Sequence, residues 1–329
     1  MVQVLCVGEA LVDRLGPPGG DPATAPAEQL DDRLGGAPAN VACALARLGT
    51  PAAFIGRLGR DAIGASFAAL FSQRGVDTSA LQWDGQRPSR IVLVRRDAGG
   101  ERSFGGFAGD RGAGFADQAL DAALLEPCLS RLWAAPAWLL TGTIPLASAA
   151  SAEALALLLE RASAAGVAVA VDLNWRPTFW DPTLAPDAPP PAQLQRRLRP
   201  LLERADLLKC AAEEAQWLFG GTDPVVIGAA LPRRPDVLIT DGANPVRWCL
   251  AGQGGQRQAF VVPVVDTTGA GDACMAGLLH SLCAHPDWPA EQRIAFASAC
   301  GALVCGGAGA IDPQPSEPQV LAFMQARGA

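Results

Sequence analysis

Apolar, β-rich runs alternate with Ala/Leu-rich runs of helical period from one end of this chain to the other. VQVLCVG (2–8) reads as a buried strand, PANVACALARLG (38–49) as a helix closed by a glycine, AAFIGRLG as a strand and IGASFAALFSQRG as a helix. Strands follow at WLLTG, VAVAVDLN, DLLK, VLITDG and RWCLAG. Helices are expected near 148–165 and 193–204 and at EEAQWLFG, and the chain after Asp272 is largely helical. Successive βα units of this kind cover a mostly parallel sheet on both faces, so the pattern predicts an α/β sandwich.

Two segments break the rhythm. Residues 16–34 interrupt the first βα unit, and SRIVLVRRDAGGERSFGGF (89–107) reads as two strands joined by a Gly-Gly hairpin. Together they predict a small β lid at the ends of the main strands, suited to excluding water. APDAPPP (185–191) is expected as a surface loop.

Composition narrows the function. The 329 residues, 50% hydrophobic and 18% charged, suit one large domain spanning 1–329. The net charge of −7 comes without an acidic block, which argues against nucleic-acid or anionic-membrane partners. No signal-like N-terminus or long apolar run is found, so a cytoplasmic protein is expected. Nine cysteines without a CxxC pair suggest buried, reduced thiols. His280 and His285 lie far along the chain from the glycine motif described next, which argues against histidine catalysis. Lys209 is the only lysine, so no GxxxxGK phosphate loop exists.

The richest stretch is DTTGAGD (266–272), between β-branched residues and a helical run. Here the amides of Gly269, Ala270, Gly271 and Asp272 can face an anion at a helix N-terminus. A dinucleotide fold would need a third glycine where Cys274 stands, and a strand after the helix, whereas HPDWP leads into a second helix. Phosphoryl transfer uses the whole motif: amides to hold the phosphoryl group, and Asp272 as general base for the acceptor hydroxyl.

DTTGAGD together with GGAPANVACALARLG (35–49) resembles the paired motifs of the ribokinase-like (pfkB) sugar kinases. GEALVD (8–13), DLNWRP (172–177), LITDGANP (238–245) and GAIDPQPS (309–316) extend the resemblance over nearly the whole chain. It implies a three-layer α/β/α sandwich with a β lid and a kinase dependent on ATP and Mg2+. Within the family the chain looks most similar to bacterial and plant fructokinases, which convert fructose to fructose 6-phosphate. Position by position, the resemblance implies Asp13, Gly35, Gly36 and Asn40 as sugar contacts; on the residues alone, Asp13 would be a strand-end turn residue and Asn40 a helix cap. Arg176 would clamp phosphate. Thr240 and Gly242 would border the nucleotide, with Ser298, Gly309 and Ala310 beside the adenine. Glu214 and its neighbour Glu213 would recruit Mg2+ through water, although Ala211 stands where the family keeps a polar residue and Pro245 where it keeps a glycine. Asp266 and Thr268 match positions that bind a monovalent cation, K+, in some relatives, and lid sheets in the family often pair into homodimers. The alternatives are a kinase for another sugar or sugar acid, such as 2-keto-3-deoxygluconate, with Arg102 and Arg111 as carboxylate partners, or a non-catalytic relative.

Overall fold

The structure, a computed structural model, describes residues 1–97, 102–134 and 136–328. Among these, eight strands form the central sheet, in the order Gln253–Arg257, Val246–Leu250, Asp236–Thr240, Leu207–Ala211, Ala168–Asp172, Trp138–Thr141, Val4–Val7 and Ala52–Ile55. The six from Asp236–Thr240 to Ala52–Ile55 are parallel, and the other two add an antiparallel edge. Strand alternation divides the core. Val4 and Cys6 pack with helices Ala37–Leu48, Ala270–Ala284 and Ala290–Val304, while Leu5 and Val7 pack with Ala149–Ala165 and Ala192–Leu202 on the other face. This is the three-layer α/β/α arrangement that the alternating pattern predicts.

AAFIGRLG is two strands rather than one. The chain leaves the central sheet at Gly56, where a side chain would meet Gly8 O at 2.6 Å, and Arg57–Gly59 pairs instead with Gln82–Asp84. The terminal strand Gln253–Arg257 has no apolar alternation to announce it, and its pairing with Val246–Leu250 defines it.

A second sheet has the order Asp31–Gly35, Leu11–Pro18, Ile91–Arg96, Arg102–Ala108. Its first strand begins at Leu11, inside the GEALVD motif, so Asp13 is a mid-strand residue and not a turn. The Gly-Gly turn expected between the last two strands lies outside the described residues. Arg90 fastens this sheet to the body. Its buried guanidinium donates to both oxygens of Asp117, at 2.8 and 3.0 Å, and lies 4.4–4.9 Å from the rings of Phe107, Phe115 and Phe179.

Candidate active site

The carboxyl ends of the parallel strands and the face of the second sheet enclose a cavity of 640 Å³. Asp172 and Thr240 reach it from strand ends, where open α/β sheets gather ligands, and Lys209 from the middle of its strand. Asp13 and Val92 are paired neighbours in the second sheet and both line the cavity, with Leu11 and Phe104 beside them. Asn174, at φ 43°, turns the chain after Asp172, and both Asn174 and the exposed Arg176 line the rim.

Asp272 stands on the first turn of the Ala270–Ala284 helix. Gly269 precedes it at φ 77°, packed so closely on Ala310 that an added Cβ would lie 2.5 Å from the Ala310 side chain. Only glycine meets both constraints. No side chain caps this helix, so the Gly271 and Asp272 N–H groups are available to an anion. Ala270 departs from the expected set of amides: its N–H already bonds Thr267 O at 3.2 Å.

Asn40 is not a helix cap. It sits within Ala37–Leu48, whose N-cap is Gly36 at φ 101°, and its Nδ2 donates to Asp272 Oδ2 at 2.7 Å. Gly36 has no room for a side chain, because a Cβ would meet Glu9 O at 2.6 Å. A Cβ on Gly35 would lie 3.2 Å from Asp13 Oδ2. Burial pushes the Asp272 pKa up to about 6 and the Asp172 charge adds to this, while the Asn40 hydrogen bond, Lys209 and Arg176 oppose it.

Three charged cavity residues, Lys209, Asp172 and Glu9, were not singled out from the sequence as site residues. Lys209 is buried, and its Nζ donates to both oxygens of Asp172, at 2.8 and 2.9 Å. The ammonium lies under the Gly269–Asp272 turn, 3.3 Å from where a Gly271 side chain would begin. Burial alone would lower the Lys209 pKa, but the charge and hydrogen bonds of Asp172, together with the Asp272 charge, more than offset it and the pKa is raised. The pair comes from adjacent strands that place Asp172 opposite Lys209. A lone lysine within an apolar strand was the available signal. Glu9 is the third. Its Oε1 accepts from Ala37 N at 3.0 Å, its Oε2 is buried without a partner, and burial raises its pKa to about 8.

The expected metal residues separate. Glu214 lines the cavity, but its carboxylate already accepts from Trp175 N at 2.6 Å and Ala211 N at 2.8 Å, closing the first helical turn and tying it to DLNWRP. Burial raises its pKa against these two donors. Glu213 is exposed and lies outside the cavity lining, because the next position on the helix faces solvent. Asp266 holds the loop before the Gly269–Asp272 turn, accepting from Thr268 N and Oγ1 at 3.0 and 2.7 Å and from Gly309 N at 2.8 Å.

A second, mostly apolar cavity of 460 Å³ adjoins the first and shares Thr240, Thr267 and Gly271 with it. Thr240, Gly242, Ala270 and Ser298 line it. Gly309 and Ala310 do not. They lie behind the Gly269 turn, which they support. Pro245 is also absent from that lining. Arg111 is exposed and outside the polar cavity, and the side chain of Arg102 lies outside the described residues.

An uncapped helix start with a carboxylate beside its amides lies between a polar and an apolar cavity of this α/β sandwich, an arrangement suited to phosphoryl transfer. The family model for pfkB family carbohydrate kinases matches residues 1–317, and the chain belongs to that family. It is similar to a fructokinase of Klebsiella pneumoniae, at 35% identity over 95% of this chain and 96% of the relative, and to fructokinase-1 of Oryza sativa subsp. japonica, at 32% over 98% and 97%. Among solved structures it is similar to the fructokinase of Xylella fastidiosa with bound ATP, at 29% identity and a TM-score of 0.83 over 99% of each chain. The Vibrio cholerae O395 fructokinase in its fructose-, ADP- and potassium-bound form gives 27%, 0.79 and 98% of each chain.

Proposed function

We propose that this kinase transfers the γ-phosphoryl group of ATP to the primary 6-hydroxyl of D-fructose, giving fructose 6-phosphate and ADP. The observation that carries the reading is the Asp272 carboxylate on the same helical turn as the free Gly271 and Asp272 amides, with a cavity on either side. The polar cavity takes the sugar, with Asp13 and Asn40 for its hydroxyls and Gly35 and Gly36 allowing close approach. The apolar cavity takes the adenine between Thr240, Gly242 and Ser298. Asp272 accepts the proton of the attacking hydroxyl as its oxygen bonds to the γ-phosphorus, and the bond to the β-phosphate oxygen breaks with its electrons leaving on ADP. The Gly271 and Asp272 amides, the Lys209 charge beneath them and Arg176 at the rim stabilise the phosphoryl oxygens.

The acid-rich cavity also suits a hydrated Mg2+, which would supply charge neutralisation for the phosphates. Glu214 and Asp172 would hold it through water, since direct ligation competes with bonds both already make. Potassium binding near Asp266 and Thr268 belongs to the same proposal and is tested by replacing potassium with tetramethylammonium in the assay. So does pairing of two copies through the second sheet, whose Arg102–Ala108 strand ends the sheet order; sedimentation measures it.

Among the described residues two cations line the polar cavity, Arg176 and the Lys209 paired with Asp172, against Asp13, Asp172, Glu214 and Asp272. That balance favours a neutral polyol over a sugar acid. ADP release across a panel including fructose, ribose, glucose and 2-keto-3-deoxygluconate tests the choice. Fructose should give the highest kcat/KM, and a preferred sugar acid would overturn it.

A further inference from the structure

The only two histidines of the chain lie together, far from the cavity. His280 is on the helix that carries Asp272, about 12 Å farther along its axis. His285 is that helix's C-cap, at φ −129°, so it departs from helical spacing and swings toward its neighbour. Glu317, on the first turn of Glu317–Gln325, faces both. One donor atom from each of the three lies within 4.8 Å of the others.

Hydrogen bonding does not account for the group. His285 Nε2 and Glu317 Oε1 are 2.6 Å apart, which uses those two. His280 is 2% exposed, and its Nε2 has no hydrogen-bond partner, with Glu317 Oε1 at 3.7 Å. Its other ring nitrogen contacts Thr50 Oγ1 at 2.8 Å, the outer contact that orients a ligating imidazole and leaves its far nitrogen free. The ring of His285 is stacked on Trp288, at 3.8 Å and 4°. His285 and Glu317 are 27% and 28% exposed, so an ion and a water ligand can enter.

We propose that His280, His285 and Glu317 form a binding site for a divalent cation of the zinc class, which fastens the Glu317–Gln325 helix to the far end of the helix bearing Asp272. Two imidazole nitrogens and one carboxylate oxygen are a common tetrahedral donor set, with water as the fourth ligand. Bonds of about 2.0–2.1 Å place such donors about 3.3 Å apart, so closing the site requires only small side-chain rotations from the present spacing.

The test is titration of the chelator-stripped full chain with Zn2+ by calorimetry and with Co2+ by absorption. One equivalent should bind, with a tetrahedral cobalt spectrum lacking thiolate charge-transfer bands, and Zn2+ should raise the Tm. Glu317→Gln and His285→Ala should each weaken binding at least about tenfold and abolish the Tm rise, with activity on fructose unchanged. Thr50→Val should weaken binding about 10–100-fold. Circular dichroism checks that the variants fold, and Glu317→Gln serves if His285→Ala does not. Absence of stoichiometric binding, thiolate bands, or equal affinity in Glu317→Gln would each overturn the proposal.

Discussion

Asn40 Nδ2 donates to Asp272 Oδ2 at 2.7 Å and so joins two residues 232 positions apart, while the other amide atom, Oδ1, is buried without a partner. In the proposed mechanism this amide orients the base and adjoins the hydroxyls of the sugar. Asn40→Ala should raise the KM for fructose by up to about one decade, the loss expected for a neutral hydrogen bond of about 0.5–1.5 kcal/mol. It should also move the acid limb of the pH profile upward, because the bond it removes lowers the Asp272 pKa. Steady-state kinetics across pH measures both.

The pH dependence of kcat/KM follows from the base. Asp272 must be ionised to accept a proton, and its pKa is about 6, so kcat/KM should fall as pH drops through about 6. Its neighbours push in opposite directions. Asp172→Asn removes a charge that raises the Asp272 pKa and should shift the limb down, whereas Lys209→Met removes one that lowers it and should shift the limb up. Shifts of the same sign in both variants would contradict this arrangement.

The same pair contributes to the fold. Lys209→Met strands a buried carboxylate and should lower the unfolding free energy by about 3–5 kcal/mol, whereas the double change with Asp172→Asn should recover much of it. Urea unfolding followed by fluorescence of the eight tryptophans reads the difference.

Glu9 is held in its neutral form near pH 7, with a pKa of about 8. Glu9→Gln keeps the acceptor for Ala37 N–H and a neutral donor, so kcat/KM at pH 7 should stay within a few-fold. Glu9→Ala should lose about 1–3 kcal/mol of stability by leaving that N–H unmatched.

Much of this architecture was legible in the chain. Apolar β-rich runs marked the parallel strands, and TGAG before an apolar helix marked the uncapped Gly269 turn, because both are local patterns. The Asp172–Lys209 pair was not legible, since only the register of adjacent strands brings the two together. Asp13 was misread from the residues alone because its strand pairs with segments 20 and 79 positions away. For Gly309 and Ala310 the motif located the turn but not its side: packing on Gly269 sets them behind the site. Glu214 carries a further lesson. Its two backbone hydrogen bonds make Glu214→Gln a stability variant, costing about 1–3 kcal/mol, as well as one with weaker activity at limiting Mg2+; exposed Glu213→Gln should do neither.

The role of Asp272 is tested most directly by the turnover of Asp272→Asn at saturating fructose and Mg-ATP. The expected result is a loss of about 10²–10⁴ in kcat with the protein folded and ATP affinity kept, because the amide cannot take the hydroxyl proton while the Gly271 and Asp272 main-chain donors remain. Turnover near the wild-type value in the folded variant would contradict the assignment of Asp272 as the base.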